Sequence, residues 1–151
     1  MGVARVNKIQ GFQNEYRFLS NFYAFPEIEI HGYWVRSVEH IYQASKTDNL
    51  AQKARILNAA SAALAKKLGR ECDVRVSWDA EKYDIMEGAV RAKFTQHYHL
   101  KLKLLATGDA YLEETNPWGD TYWGVCQGVG LNQLGSILMQ VREELRCGVA
   151  D

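Results

Sequence analysis

The chain has 151 residues with 47% hydrophobic and 24% charged side chains, the composition of an ordinary globular domain that buries roughly 70% of its unfolded surface. Lys plus Arg equals Asp plus Glu at 18 each, so the formal net charge is zero, which excludes a broad phosphate-tracking surface but not a local basic pocket. Cys72, Cys126 and Cys147 are odd in number and far apart, which excludes a disulfide framework and a zinc ribbon and predicts reduced thiols in a cytoplasmic protein.

The segment Met1 to Gln10 has no apolar stretch of signal-peptide type, and no run approaches the roughly 18 apolar residues of a membrane span. Ile28 and Ile30, then His31-Gly32, then Tyr33 and Val35, read as a hairpin turning at the glycine. Ser37 caps a predicted helix from Val38 to about Lys46. A second helix covers Leu50 to Asn58, and a third follows Ser61 and stops at Gly69, read as a C-cap. Asp79 is the expected N-cap of a longer helix carrying Ile85, Met86, Ala89, Val90 and Phe94 on one face.

Leu100, Leu104 and Leu105 keep helical spacing until Gly108, and Tyr111 and Leu112 form a short strand. Thr115 to Gly130, rich in Gly, Asn, Asp and Trp, reads as an ordered loop. The last helix starts near Leu131 with an apolar stripe of Leu134, Ile137, Leu138, Val141 and Leu145. With no repeat or linker in view, the expectation is one domain over residues 1–151. Its fold class is mainly α (α+β), with a small β part near the N-terminus.

No His-Glu-x-x-His occurs, and His97 and His99 stand two apart on a predicted helix, where side chains do not face the same way. No metal and no organic cofactor is therefore expected. Gly128-Val129-Gly130 lacks the third glycine and the preceding strand of a dinucleotide fingerprint. It either approaches a helix N-terminus able to take a phosphate or is a plain turn.

Three polar groups stand out. Glu39 lies near a helix start among Val38, Ile41, Tyr42 and Ala44, where burial would tune a carboxylate for acid–base work. By residue chemistry alone, a glutamate simply meeting the helix dipole is the commoner case. Lys46, two turns later, shares its face in one reading and is an exposed helix-end lysine in the other. Asp120 stands with Trp118, Tyr122 and Trp123, a combination suited to a base and ribose site or to a packed aromatic loop.

Ordered blocks then carry a resemblance. They begin with Phe18-Leu19-Ser20-Asn21-Phe22-Tyr23, Ser37-Val38-Glu39-His40 and Gln43-Ala44-x-Lys46. Leu68-Gly69-Arg70, Trp78 and Arg91-Ala92-Lys93-Phe94 follow. The last are Asp120-x-x-Trp123-Gly124 and Gly130-x-Asn132-x-Leu134-Gly135. In order and extent these are similar to the NADAR, or YbiA-like, family, and within it to the bacterial riboflavin-intermediate N-glycosidases. Pro117-Trp118-Gly119-Asp120 is one residue longer than the usual spacing, as in a phage or lineage-specific member.

The resemblance implies an α-rich fold and hydrolysis of the ribose C1–N bond of ribosylamino-pyrimidine phosphates. It implies Glu39, Asp120 and Lys46 as catalytic residues, with Lys46 open to a Schiff-base route. Asn21, Trp78, Trp123, Gly124 and Asn132 become substrate-binding, with either tryptophan stacking on the pyrimidine. The implied partner is a small ribose-phosphate compound, with no membrane. The alternatives are removal of ADP-ribose from guanine bases of nucleic acid, and an ADP-ribose or NAD binding module without catalysis. A homo-oligomer assembled through the amphipathic last helix is a further reading.

Overall fold

The computed structural model describes residues 6–148, so the leader-free reading of the first five residues lies outside the described residues. In chain order the elements begin with strand β1 (Lys8–Gln10), a 3-10 helix (Asn14–Leu19), β2 (Ile28–Ile30) and β3 (Tyr33–Val35). Helices α1 (Val38–Ala44), α2 (Leu50–Leu57), α3 (Ala62–Glu71), α4 (Trp78–Gln96) and α5 (Tyr98–Ala106) follow, then β4 (Tyr111–Glu113) and α6 (Gln133–Arg146). The fold is α+β and dominated by helix, as expected. Among the described residues two compact units emerge, one of residues 21–96 and one of residues 6–20 with 97–148.

In the unit of residues 21–96, His31 and Gly32 both take positive φ, at 53° and 83°, giving the turn whose twist suits an antiparallel hairpin. Ser37 caps α1 by accepting from the His40 N–H at 3.2 Å, and Asn49 and Ser61 do the same for α2 and α3. Every residue of α1 is buried, because α2, α3, α4 and β3 all pack against it. Lys93 on α4 is buried too, its Nζ 5.0 Å from the Phe94 ring centre and 5.6 Å from that of Tyr23. Burial pulls its pKa down to about 7.

Two boundary expectations are corrected. Gly69 does not end α3, which runs on to Glu71, because the glycine sits buried inside the helix against the Gln43 side chain. Asp79 is not an N-cap, since α4 begins one residue earlier at Trp78, whose ring packs on Tyr42.

In the other unit, β1 pairs in parallel with β4, and Leu112 and Ile9 are core residues opposite one another. The sequence reading contained neither β1 nor the 3-10 helix. Helix α6 packs on β4 and α5 through Leu134, Ile137, Leu138, Val141 and Leu145, all buried. The stripe that suggested an oligomer face is therefore core. Arg142 closes the end of this layer by donating to Thr107 Oγ1 and the Ala110 carbonyl, each at 2.9 Å. Among the described residues no helix is long and apolar enough to cross a membrane.

Candidate active site

The predicted site residues fall into two groups, one in each unit, and each group has its own geometry. The first is built on α1. The Asn21 carbonyl accepts from the Glu39 N–H at 3.1 Å, so the turn before the hairpin covers the free end of the helix. The Asn21 side chain donates to Met86 Sδ at 3.4 Å. Glu39 is 6% exposed, and its Oε1 accepts from Gln43 Nε2 at 2.7 Å. A carboxylate this deep keeps its charge only when hydrogen-bonded or paired.

Lys46 lies past the end of α1, which closes at Ala44, so it is not the helical partner of Glu39 that the spacing suggested. The two groups nonetheless interact. Burial lowers the Lys46 pKa, the negative charge of Glu39 opposes that shift, and Arg70 and Lys66 on α3 add to it. Lys46 Nζ stands 5.7 Å from the centre of the Tyr42 ring. Its carbonyl accepts from the Arg75 N–H at 2.8 Å.

Trp78 was expected as an open stacking platform. It is 6% exposed, with the Tyr42 ring centre at 5.1 Å and the Arg75 guanidinium 5.7 Å from its own. Arg75 is in turn paired with Glu81 at 2.8 Å. Trp78 is thus a packed ring that ties α4 to α1, and its faces are largely covered by protein.

The second group is the loop before α6. Asp120 Oδ1 accepts from the Tyr122 N–H at 3.1 Å and the Trp123 N–H at 2.9 Å, an Asx turn that leaves the other carboxylate oxygen out of these bonds. Asn116 brackets this turn, donating to the Asp120 carbonyl at 2.8 Å and accepting from its N–H at 3.0 Å. Inside that bracket Gly119 has φ of 89°. Trp123 is half-buried and meets Tyr122 edge to face at 4.7 Å, whereas Trp118 is 63% exposed.

Gly124 and Asn132 serve this loop structurally. A Cβ at Gly124 would lie 2.1 Å from the Glu114 carbonyl, so only glycine permits that approach. Asn132 donates to the Leu112 carbonyl and Tyr111 OH and accepts from the Glu114 N–H, so both its amide hydrogens are engaged. The phosphate reading of Gly128-Val129-Gly130 fails. The N–H groups of Gln133 and Leu134 at the start of α6 already donate to the Tyr122 and Trp123 carbonyls, at 3.1 and 3.0 Å.

The sequence assigns no site role to Gln43, Arg75 or Asn116. Gln43 stands one turn after Glu39, a spacing that would have revealed it. A cleft of about 1180 Å³ in the second unit is lined by Tyr16, Phe18, Lys103, Asp109 and Arg146 among others, and none of the predicted site residues lines it. Among the described residues no group of three His, Cys, Asp or Glu side chains is placed to hold a metal ion.

A buried, hydrogen-bonded carboxylate beside a lysine of lowered pKa is an acid–base arrangement on an α-rich scaffold. Residues 9–146 match the NADAR domain, and the chain belongs to the NADAR family. It is 38% identical to the N-glycosidase YbiA of Escherichia coli over 135 residues, covering 87% of this chain and 83% of that protein. The N-glycosidase of Nostoc punctiforme is 43% identical, with 76% of each chain covered. A riboflavin biosynthesis protein of Vibrio vulnificus is 42% identical over 85% of this chain, which spans only 35% of that longer protein. The NMR structure of E. coli YbiA superposes with a TM-score of 0.85 at 34% identity, covering 97% of this chain and 89% of that one.

Proposed function

We propose that this chain hydrolyses the ribose C1–N bond of ribosylamino-pyrimidine phosphates, early intermediates of riboflavin biosynthesis. The chain is an N-glycosidase: two relatives of that name match it at 38% and 43% identity over most of both chains. The name of the Vibrio relative supports the choice of substrate. The observation that carries the chemistry is Glu39, a carboxylate 6% exposed and fixed by a 2.7 Å hydrogen bond.

Breaking the C1–N bond builds positive charge on C1 and the ring oxygen. A preoriented carboxylate in a dry site stabilises that charge without reorganising. The same carboxylate takes the proton of the attacking water while its oxygen bonds to C1 and the nitrogen leaves. Lys46, protonated, returns a proton to the departing nitrogen. In the other unit, Asp120 keeps one carboxylate oxygen out of its Asx turn and Trp123 is half-buried, groups of the kind that hold ribose hydroxyls and a heterocycle.

The lowered pKa of Lys46 also favours a second route, because it increases the share of free amine at neutral pH. In that route the amine attacks C1 of the ring-opened sugar, displaces the pyrimidine amine to form an imine, and water releases the sugar. Borohydride present during turnover would leave a reduced sugar adduct on Lys46 in this case and none in the first.

The test is mass spectrometry of the protein incubated separately with a ribosylamino-pyrimidine phosphate, an ADP-ribosylated guanine oligonucleotide, and NAD. Free pyrimidine and ribose 5-phosphate from the first sample alone is the expected result. Turnover of the oligonucleotide alone would replace this reading with ADP-ribose removal.

A further inference from the structure

We infer that Gln43 is the positioning residue for Glu39, and that Gly69 lacks a side chain so that Gln43 can hold that position. The kinetic consequence rests on the reading of Glu39 as the reacting carboxylate. Gln43 follows Glu39 by one turn of α1, and its Nε2 donates to Glu39 Oε1 at 2.7 Å. On an exposed helix face such a pair competes with water and adds little. Here the two side chains are 6% and 3% exposed, so neither exchanges its partner for solvent.

The orientation of the amide is informative. An ionised carboxylate only accepts, so the NH₂ group must face Glu39 and the carbonyl must face away. Facing away, Gln43 Oε1 is a buried acceptor with no hydrogen-bond partner among the described residues. Turning the amide over would set two oxygens against each other. The fold therefore carries an unsatisfied carbonyl in order to present an N–H to Glu39, an exception of the kind that marks functional sites.

Gly69 supplies the space. A Cβ there would lie 1.9 Å from Gln43 Oε1 and 2.7 Å from its Cδ. The glycine lies inside α3 without a positive φ, where alanine is the better helix former. What glycine contributes at this position is room, so Gly69→Ala should push the Gln43 amide off the carboxylate with both partners still present.

Gln43→Met keeps side-chain length and helix propensity while removing the donor. It is expected to melt close to wild type, keep KM within about twofold and lose about tenfold in kcat, the effect of one charge-assisted hydrogen bond. Gly69→Ala should lower kcat in the same direction. A purely structural role would lower the melting temperature and leave the kcat of the folded fraction unchanged, and that result would overturn the inference.

A second readout needs no substrate. In ¹⁵N-edited NMR of the wild type, the Gln43 side-chain amide should carry one proton downfield of the free-glutamine position, and Gly69→Ala should return it. An amide at the free position in the wild type would overturn the inference whether or not the protein cleaves the proposed substrate. Absent turnover with a displaced amide would instead count against the proposed function alone.

Discussion

Asn132 Nδ2 donates to the Leu112 carbonyl at 2.8 Å, fastening the start of α6 to β4. The same side chain accepts from the Glu114 N–H at 3.0 Å, and the residue is held at φ of 52°. Asn132→Ala removes these bonds, strands buried backbone groups and places alanine in a left-handed conformation, for an expected loss of about 2–4 kcal/mol. Urea denaturation measures it. A loss below about 0.5 kcal/mol would return Asn132 to the substrate-contacting role implied by the resemblance.

The two tryptophans should separate by phenotype. Trp78 is 6% exposed between α1 and α4, so Trp78→Ala is expected to cost about 3–5 kcal/mol of stability. Trp123→Ala should leave the melting curve much closer to wild type and weaken binding of a product pyrimidine by about 1–3 kcal/mol. Melting curves and calorimetric titration of both variants decide this, and the reverse pattern would contradict both assignments.

How far the sequence reveals the fold depends on how local each cause is. Ser37, Ser61 and the stripe of α6 were legible because caps and 3.6-residue periodicity act within a few residues. Strand β1 was not, because its three residues are defined by pairing with β4 more than a hundred positions away. Gly69 reads as a stop signal until the Gln43 side chain is placed against it. The burial of Glu39 was visible in its neighbours, whereas the closure of Trp78 depends on Tyr42 from α1, 36 positions earlier.

His40 predicts an acid-side loss of stability. Its Nε2 lies 3.0 Å from the Ala59 carbonyl and must donate to it, while Nδ1 lies 2.6 Å from Ser37 Oγ. Burial, the largest cause, lowers its pKa below 6.5, the nearby Arg36 charge adding to it and the Ala59 hydrogen bond opposing. The unfolded chain thus takes up the proton first. This stability is fully present above pH 6.5 and declines as pH falls through 6.5 towards the folded value. Urea midpoints of wild type and His40→Gln between pH 7.5 and 5 should converge towards the acid end. A constant difference would contradict the buried neutral imidazole.

Lys93 works in a higher window with the same sign. Its folded pKa of about 7 against 10.5 means that stability is greatest above 10.5 and is lost as pH falls towards 7. Lys93→Met, similar in length and apolar, removes this titration, so wild type should gain stability relative to it as pH rises from 7 towards 10.5. A difference between the two proteins that stays constant over that range would contradict the lowered pKa.

The measurement closest to the central claim is single-turnover kinetics of Glu39→Gln on ribosylamino-pyrimidine phosphate, with a melting curve on the same sample. The amide keeps the volume of the side chain and removes its charge, so the fold should survive. The rate of C1–N cleavage should fall by about 10²–10⁴-fold, the contribution of one general acid–base group. A folded Glu39→Gln protein that cleaves the substrate near the wild-type rate would contradict the account and move the chemistry to Lys46 or Asp120.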